Sequence, residues 1–88
     1  MPSKTPALSI EARRIQAAGQ RLHGVRWIRP MAEAMGISRP LLNLIMLGKR
    51  PVTADVKARI PAAFEHRRRE IQKAKADLEA AIHEYNED

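Results

Sequence analysis

The sequence predicts an all-α protein of five helices, the last of them long. Three observations carry that prediction. Apolar residues recur at steps of three and four along most of the chain. Ser, Thr, Gly and Pro fall where helices start and stop. No segment alternates apolar and polar residues as a half-buried strand does, and there is no internal repeat.

The elements follow in order. Residues 1–5 form a flexible N-terminus. Thr5 or Ser9 caps a first helix, and Pro6 suits the first helical position after Thr5. Leu8, Ala12, Ile15, Ala18 and Leu22 make one face of it, and Gly24 sits where a left-handed residue ends a helix. Trp27 and Ile28 open the second helix, with Pro30 in its first turn, where a missing N–H costs nothing. It runs on through Met31, Ala32 and Met35 and ends at Gly36. Ser38 caps a third helix, Arg39 to Leu47, with Pro40 in its first turn. Gly48 stops it, and Lys49-Arg50-Pro51-Val52 is a loop. Thr53 caps a fourth helix carrying Val56, Ile60 and Ala63, which Pro61 should kink or shorten by removing an interior hydrogen bond. A last helix runs from about Phe64 to about Tyr85. The chain divides into a body, residues 6–64, and a C-terminal helix, residues 65–88.

Composition narrows the function. With 88 residues there is room for one domain and one modest core. Trp27, Phe64 and Tyr85 are the only aromatics, so Leu, Ile, Met and Ala must fill that core. Such a core supplies about 3–5 kcal/mol alone, which makes dimerisation a natural source of further stability. The absence of cysteine excludes disulfides and Cys-based zinc sites. No apolar run nears the ~20 residues that cross a bilayer. The start, MPSKTPALS, lacks the apolar stretch of a signal peptide, so a cytoplasmic location is expected. Net charge is +6 and unevenly spread. Residues 1–75 hold all 16 Lys and Arg, whereas residues 76–88 hold none and carry Asp77, Glu79, Glu84, Glu87 and Asp88. A basic body suits a polyanionic partner, and the acidic tip should point away from it.

The second and third helices carry the sharpest signal. Two short helices joined by a tight turn pack only if their contact is small. Ala32 supplies that smallness, and Gly36 permits the positive φ of the turn. Met31, Met35, Ile37, Leu42 and Ile45 face inward and fix the angle. That is the logic of a helix-turn-helix; the plain alternative is a helical hairpin with no ligand.

Residues 27–64 resemble the helix-turn-helix domain of the lambda-repressor/Cro-like, or XRE, family. The matching residues are Met31-Ala32-Glu33, Met35-Gly36-Ile37-Ser38-Arg39, the core positions Leu42 and Ile45, and Gly48-Lys49-Arg50-Pro51 with Val52-Thr53. The stretch RPVTADVKARI is similar to short antitoxin-like members and small regulators of mobile genetic elements of bacteria and phages. The resemblance implies a five-helix domain that binds operator DNA as a dimer and controls transcription, with the third helix in the major groove. It places Ser38, Arg39, Pro40, Asn43 and Leu44 at base edges. An arginine there grips guanine O6 and N7 with two hydrogen bonds, worth ~1–3 kcal/mol of discrimination. Asn43, a turn further on, pairs with adenine or reaches a phosphate. Arg29, Lys49 and Arg50 match phosphate-contacting positions, and Arg26 adds to them.

One feature departs from the family. Pro40, Leu44, Met46 and Leu47 make the outer face of the third helix unusually apolar. They meet thymine methyls, or bind a protein, or tuck against the following helices.

In the last helix Ile71, Ala74, Leu78, Ala81 or Ile82, and Tyr85 recur at steps of three and four. The helix outruns what the short body helices cover, so its distal half calls for a second copy of the chain. Glu65–Arg69, Lys73–Asp77 and Lys75–Glu79 are spaced for ion pairs along it, and Arg67-Arg68-Arg69 reads as a solvated start.

Catalysis finds no support. His23, His66 and His83 have no metal-ligand spacing, Ser38 is better placed as a cap than as a nucleophile, and no glycine-rich phosphate loop follows a strand. The expectation is a non-enzymatic, cofactor-free homodimer on a palindromic operator, acting as repressor or activator and touching RNA polymerase or another regulator. The rival is a protein-binding regulator, an antiactivator or antitoxin-like inhibitor, using the Leu44/Leu47 face or the last helix.

Overall fold

The structure, a computed structural model, describes residues 8–87. Within them all regular structure is helical: α1 (Ile10–His23), α2 (Ile28–Met35), α3 (Arg39–Met46), α4 (Ala54–Ala58) and α5 (Ile60–Asn86). Three starts are fixed by side-chain oxygens that accept otherwise orphaned N–H groups. Ser9 Oγ accepts from Ala12 at 3.1 Å, Ser38 Oγ from Leu41 at 3.2 Å and Thr53 Oγ1 from Val56 at 3.2 Å. Each cap is worth ~1 kcal/mol. The alternative start at Thr5 and Pro6, like the flexible N-terminus, lies outside the described residues.

The core is built almost wholly from small and aliphatic side chains. Ala12 and Ile15 of α1, Met31, Ala32 and Met35 of α2, Leu42 and Ile45 of α3, Val56 of α4 and Ala63 of α5 are buried, with Trp27 beside them. Helix α2 is the hub, packing against α1, α3 and α5. The expected α1 face packs on the core, with Gly19 added to it. Ala12 and Ile15 are buried, but the next buried position is Gly19, while Leu8, Ala18 and Leu22 are only half-buried. Trp27 is the cause: a Cβ on Gly19 would lie 2.1 Å from its ring, so the indole occupies the space that a side chain would need.

Other expectations are corrected. Gly24 does cap α1 at positive φ, but with φ 78° and ψ −152° it is not in the left-handed helical region. Helix α3 stops at Met46, and Leu47 is its C-cap. The fourth helix is short, ending before Pro61 as one of the two outcomes expected there had it, and the proline lies in no helix interior. Helix α4 ends at Ala58, Arg59 lies between, and α5 begins at Ile60, which puts Pro61 in the first turn, where no N–H is required. The last helix therefore starts four residues before Phe64, and Ile60 and Ala63 belong to it rather than to α4. Lys73–Asp77 forms at 3.0 Å, but Glu65 pairs with Arg68 at 3.8 Å instead of Arg69. No ion pair joins Lys75 to Glu79 among the described residues. Arg68 and Arg69 are exposed as expected, but Arg67 is half-buried: its Nε donates to the Leu22 carbonyl at 3.0 Å and clips the end of α1 to α5.

Beyond that clip α5 leaves the body. Every residue from Arg68 to Glu87 is exposed, and the molecule measures 64 × 31 × 19 Å. No helix among the described residues is long and apolar enough to cross a membrane.

Candidate nucleic-acid interface

The site begins at the turn between α2 and α3. Gly36 ends α2 in the left-handed conformation, φ 72° and ψ 30°. Its N–H donates to the Glu33 carbonyl at 3.1 Å, and the Ile37 N–H donates to the Ala32 carbonyl at 3.0 Å, so the last carbonyls of α2 are satisfied within the turn. Arg59 adds a clamp from a distance. Its Nη1 donates to the carbonyls of Met35 at 3.3 Å and Gly36 at 3.2 Å, while its Nε donates to Asp55 at 3.1 Å. A Cβ on Gly36 would sit 3.0 Å from Arg59 Nη1, a second reason for glycine here. Spacing within the α2–α3 segment held no sign of Arg59, because the contact crosses 23 and 24 positions.

The turn leaves α3 with two distinct faces. Leu42 and Ile45 point into the core at 0% and 1% exposure. Leu41 and Met46 pack half-buried against the same cluster, so Met46 turns inward from the outer face. Ile37, half-buried in the turn, joins that cluster. Ser38, Arg39, Pro40 and Asn43 are exposed, Leu44 is half-buried, and Leu47 is exposed. The N-terminal part of the outer face is thus polar and basic, while Leu47 closes its far end with an apolar side chain. Ser38 Oγ accepts from the Leu41 N–H, which leaves its hydroxyl hydrogen free to donate outward.

Six of the residues singled out from sequence fall around α3 as two groups. Arg26 and Arg29 line one open groove together with Arg39 and Asn43, over a floor of Ile28 and Pro30. No carboxylate lines it. Arg29 does touch Glu33 at 3.2 Å, but both side chains are exposed and such a pair is weak. Lys49 and Arg50 lie elsewhere, on the loop after α3, where a second hollow is bounded by Ser9, Ala12 and Ile45. The cations therefore occur at both ends of α3. Ile71, Ala74, Leu78, Ile82 and Tyr85 are all exposed on the projecting part of α5.

The residues that sequence reasoning missed are supporting ones. Gly19, Arg59 and Arg67 hold Trp27, the turn and the base of α5, respectively. His23 belongs with them: its Nε2 is buried without a hydrogen-bond partner. Burial, and then the nearby Arg67 guanidinium, holds its imidazole below the ordinary pKa of 6.5; His66 adds to this and Glu70 opposes it. No group of three or more His, Asp or Glu among the described residues is placed to hold a metal ion.

No family model matches the chain, and neither the curated proteins nor the solved structures contain a match to it.

Proposed function

We propose that the protein is a sequence-specific DNA-binding transcriptional regulator with a lambda-repressor-like helix-turn-helix, acting as a homodimer on a palindromic operator. One observation carries this reading: Arg39 and Asn43 share an open groove with Arg26 and Arg29, with no carboxylate lining it. In the proposed complex α3 enters the major groove. Arg39 reads a guanine and Asn43 an adenine, while Ser38, Pro40 and Leu44 lie along the base edges. Arg26 and Arg29 hold one phosphate strand, and Lys49 and Arg50 hold the strand beyond the other end of α3. Two copies place their α3 helices in major grooves one helical turn, about 34 Å, or a whole multiple of it apart. Bound at a promoter, the dimer represses by occlusion or activates by touching polymerase.

Leu47 favours a second reading. It is 59% exposed at the end of an otherwise basic face, which also suits a protein partner of an antiactivator or antitoxin-like regulator. Binding to sequences selected from a random duplex pool separates the two. Arg39→Ala abolishes the shift of the selected duplex under the DNA reading. If Arg39→Ala leaves function unchanged and Leu47→Asp destroys it, the protein-binding reading holds.

A further inference from the structure

We infer that the projecting half of α5 pairs antiparallel with the same helix of a second copy, about a two-fold axis at Leu78. This rests on the homodimer of the proposed function and gives it a geometry. The exposed apolar stripe is Ile71, Ala74, Leu78, Ile82 and Tyr85, whose spacings of 3, 4, 4 and 3 read the same in both directions. A two-fold axis at Leu78 therefore sets Ile71 beside the partner's Tyr85, Ala74 beside the partner's Ile82, and Leu78 beside its own copy. Isologous pairing requires that self-complementarity.

Spacing alone also permits a parallel pair; charge chooses between them. The basal part of the projecting helix carries Arg67, Arg68, Arg69, Lys73 and Lys75 against a single acid, Glu70. From Asp77 onward there is no Lys or Arg, and Glu79, Glu84 and Glu87 follow. A parallel pair sets each block against its own copy. The antiparallel pair sets basic block against acidic block at both ends, within reach of a Debye length of ~8 Å at physiological salt. Lys75 and Glu79 lie on the same flank of the stripe, so each Lys75 meets the partner's Glu79 near the axis. Neither side chain forms an ion pair within one chain among the described residues. On the opposite flank Asp77 comes near its own copy, but each is already neutralised by Lys73 at 3.0 Å.

A groove at the base of α5 completes the fit. It is lined by Leu22, Phe64, Arg67, Arg68, Ile71 and Gln72, an apolar floor with two guanidinium groups on its rim. The antiparallel register delivers to it the partner's Tyr85, which is 88% exposed, and the negative end of the partner's helix. The two bodies then lie at opposite ends of the pair, each carrying one α3.

The chain has no cysteine, so engineered thiols report the geometry without background. Three variants, Leu78→Cys, Ile71→Cys and Ile71→Cys/Tyr85→Cys, are oxidised in dilute solution and resolved without reductant. All replace exposed side chains, so the body folds in each. Expected is a covalent dimer from Leu78→Cys and from the double variant, and almost none from Ile71→Cys. Efficient cross-linking of Ile71→Cys alone means a parallel pair and overturns the inference while leaving the homodimer intact. No cross-link from Leu78→Cys, together with sedimentation as a monomer, overturns both the inference and the homodimer. DNA binding is judged separately, by duplex selection.

Discussion

Gly19 sits in the middle of α1, where alanine ordinarily stabilises a helix by up to ~1 kcal/mol. Here the sign reverses. A Cβ at this position would lie 2.1 Å from the Trp27 ring, so Gly19→Ala must displace the only tryptophan of the chain. The expected cost is about 1–3 kcal/mol, as for other overpacked cores. Thermal unfolding should show a lower midpoint together with altered tryptophan fluorescence; an unchanged or raised midpoint would mean that the close approach is not needed. His23 gives a second test at this scale. Its folded pKa lies below 6.5, so between that value and 6.5 the unfolded chain binds more protons. The stability contributed is therefore present above pH 6.5 and is lost as pH falls through the folded value. Denaturant midpoints should fall between pH 7.5 and 5.5 in the native chain and fall less in His23→Leu; equal slopes would remove His23 from the pH dependence. Neither residue stood out in the sequence. Gly19 matters only because a tryptophan eight positions later folds back on it, and periodicity in one helix does not reveal what lies across from it.

At the scale of elements, what could be read in the sequence was local. Ser38 and Thr53 were placed as caps because a side-chain oxygen and the N–H three residues later are fixed by the chain itself, and both hydrogen bonds form at 3.2 Å. The positive φ of Gly36 and the burial of Met31, Ala32, Met35, Leu42 and Ile45 were legible for the same reason. The break between α4 and α5 was misplaced because Pro61 is ambiguous in sequence: inside a helix it removes a hydrogen bond, and in a first turn it removes none. Pro61→Ala should accordingly change stability by less than about 0.5 kcal/mol; a larger gain would show that the proline strains the junction. Arg59 was invisible because its partners are the carbonyls of Met35 and Gly36, on another element. Its removal should cost about 1–2 kcal/mol, the worth of charge-assisted hydrogen bonds at a partly exposed site. Arg59→Met keeps the stem while losing the donors. In a denaturant titration it should be destabilised nearly as much as Arg59→Ala; a native-like Arg59→Met would assign the role to packing.

The whole molecule is a small basic body on a helix of 27 residues, acidic at its far end. Around α3 the sequence indicated most of the exposed cations, and the fold brings Arg26, Arg29, Arg39 and Asn43 to one groove while setting Lys49 and Arg50 apart from it. What the sequence left open was how α3 divides its apolar residues, because burial of Met46 and exposure of Leu47 depend on neighbours that only the fold supplies. If ~6–10 phosphates are contacted per dimer, affinity should drop by about 10³–10⁵ between 50 and 200 mM salt, a far steeper slope than a protein contact centred on the apolar Leu47 would show. The most direct measurement is selection of bound sequences from a random duplex pool by the native chain and by Arg39→Ala. A symmetric enriched motif is expected from the native chain, with recognition lost at a guanine position or altogether in Arg39→Ala. A pool that stays random with the native chain, or the same motif from both proteins, would contradict it.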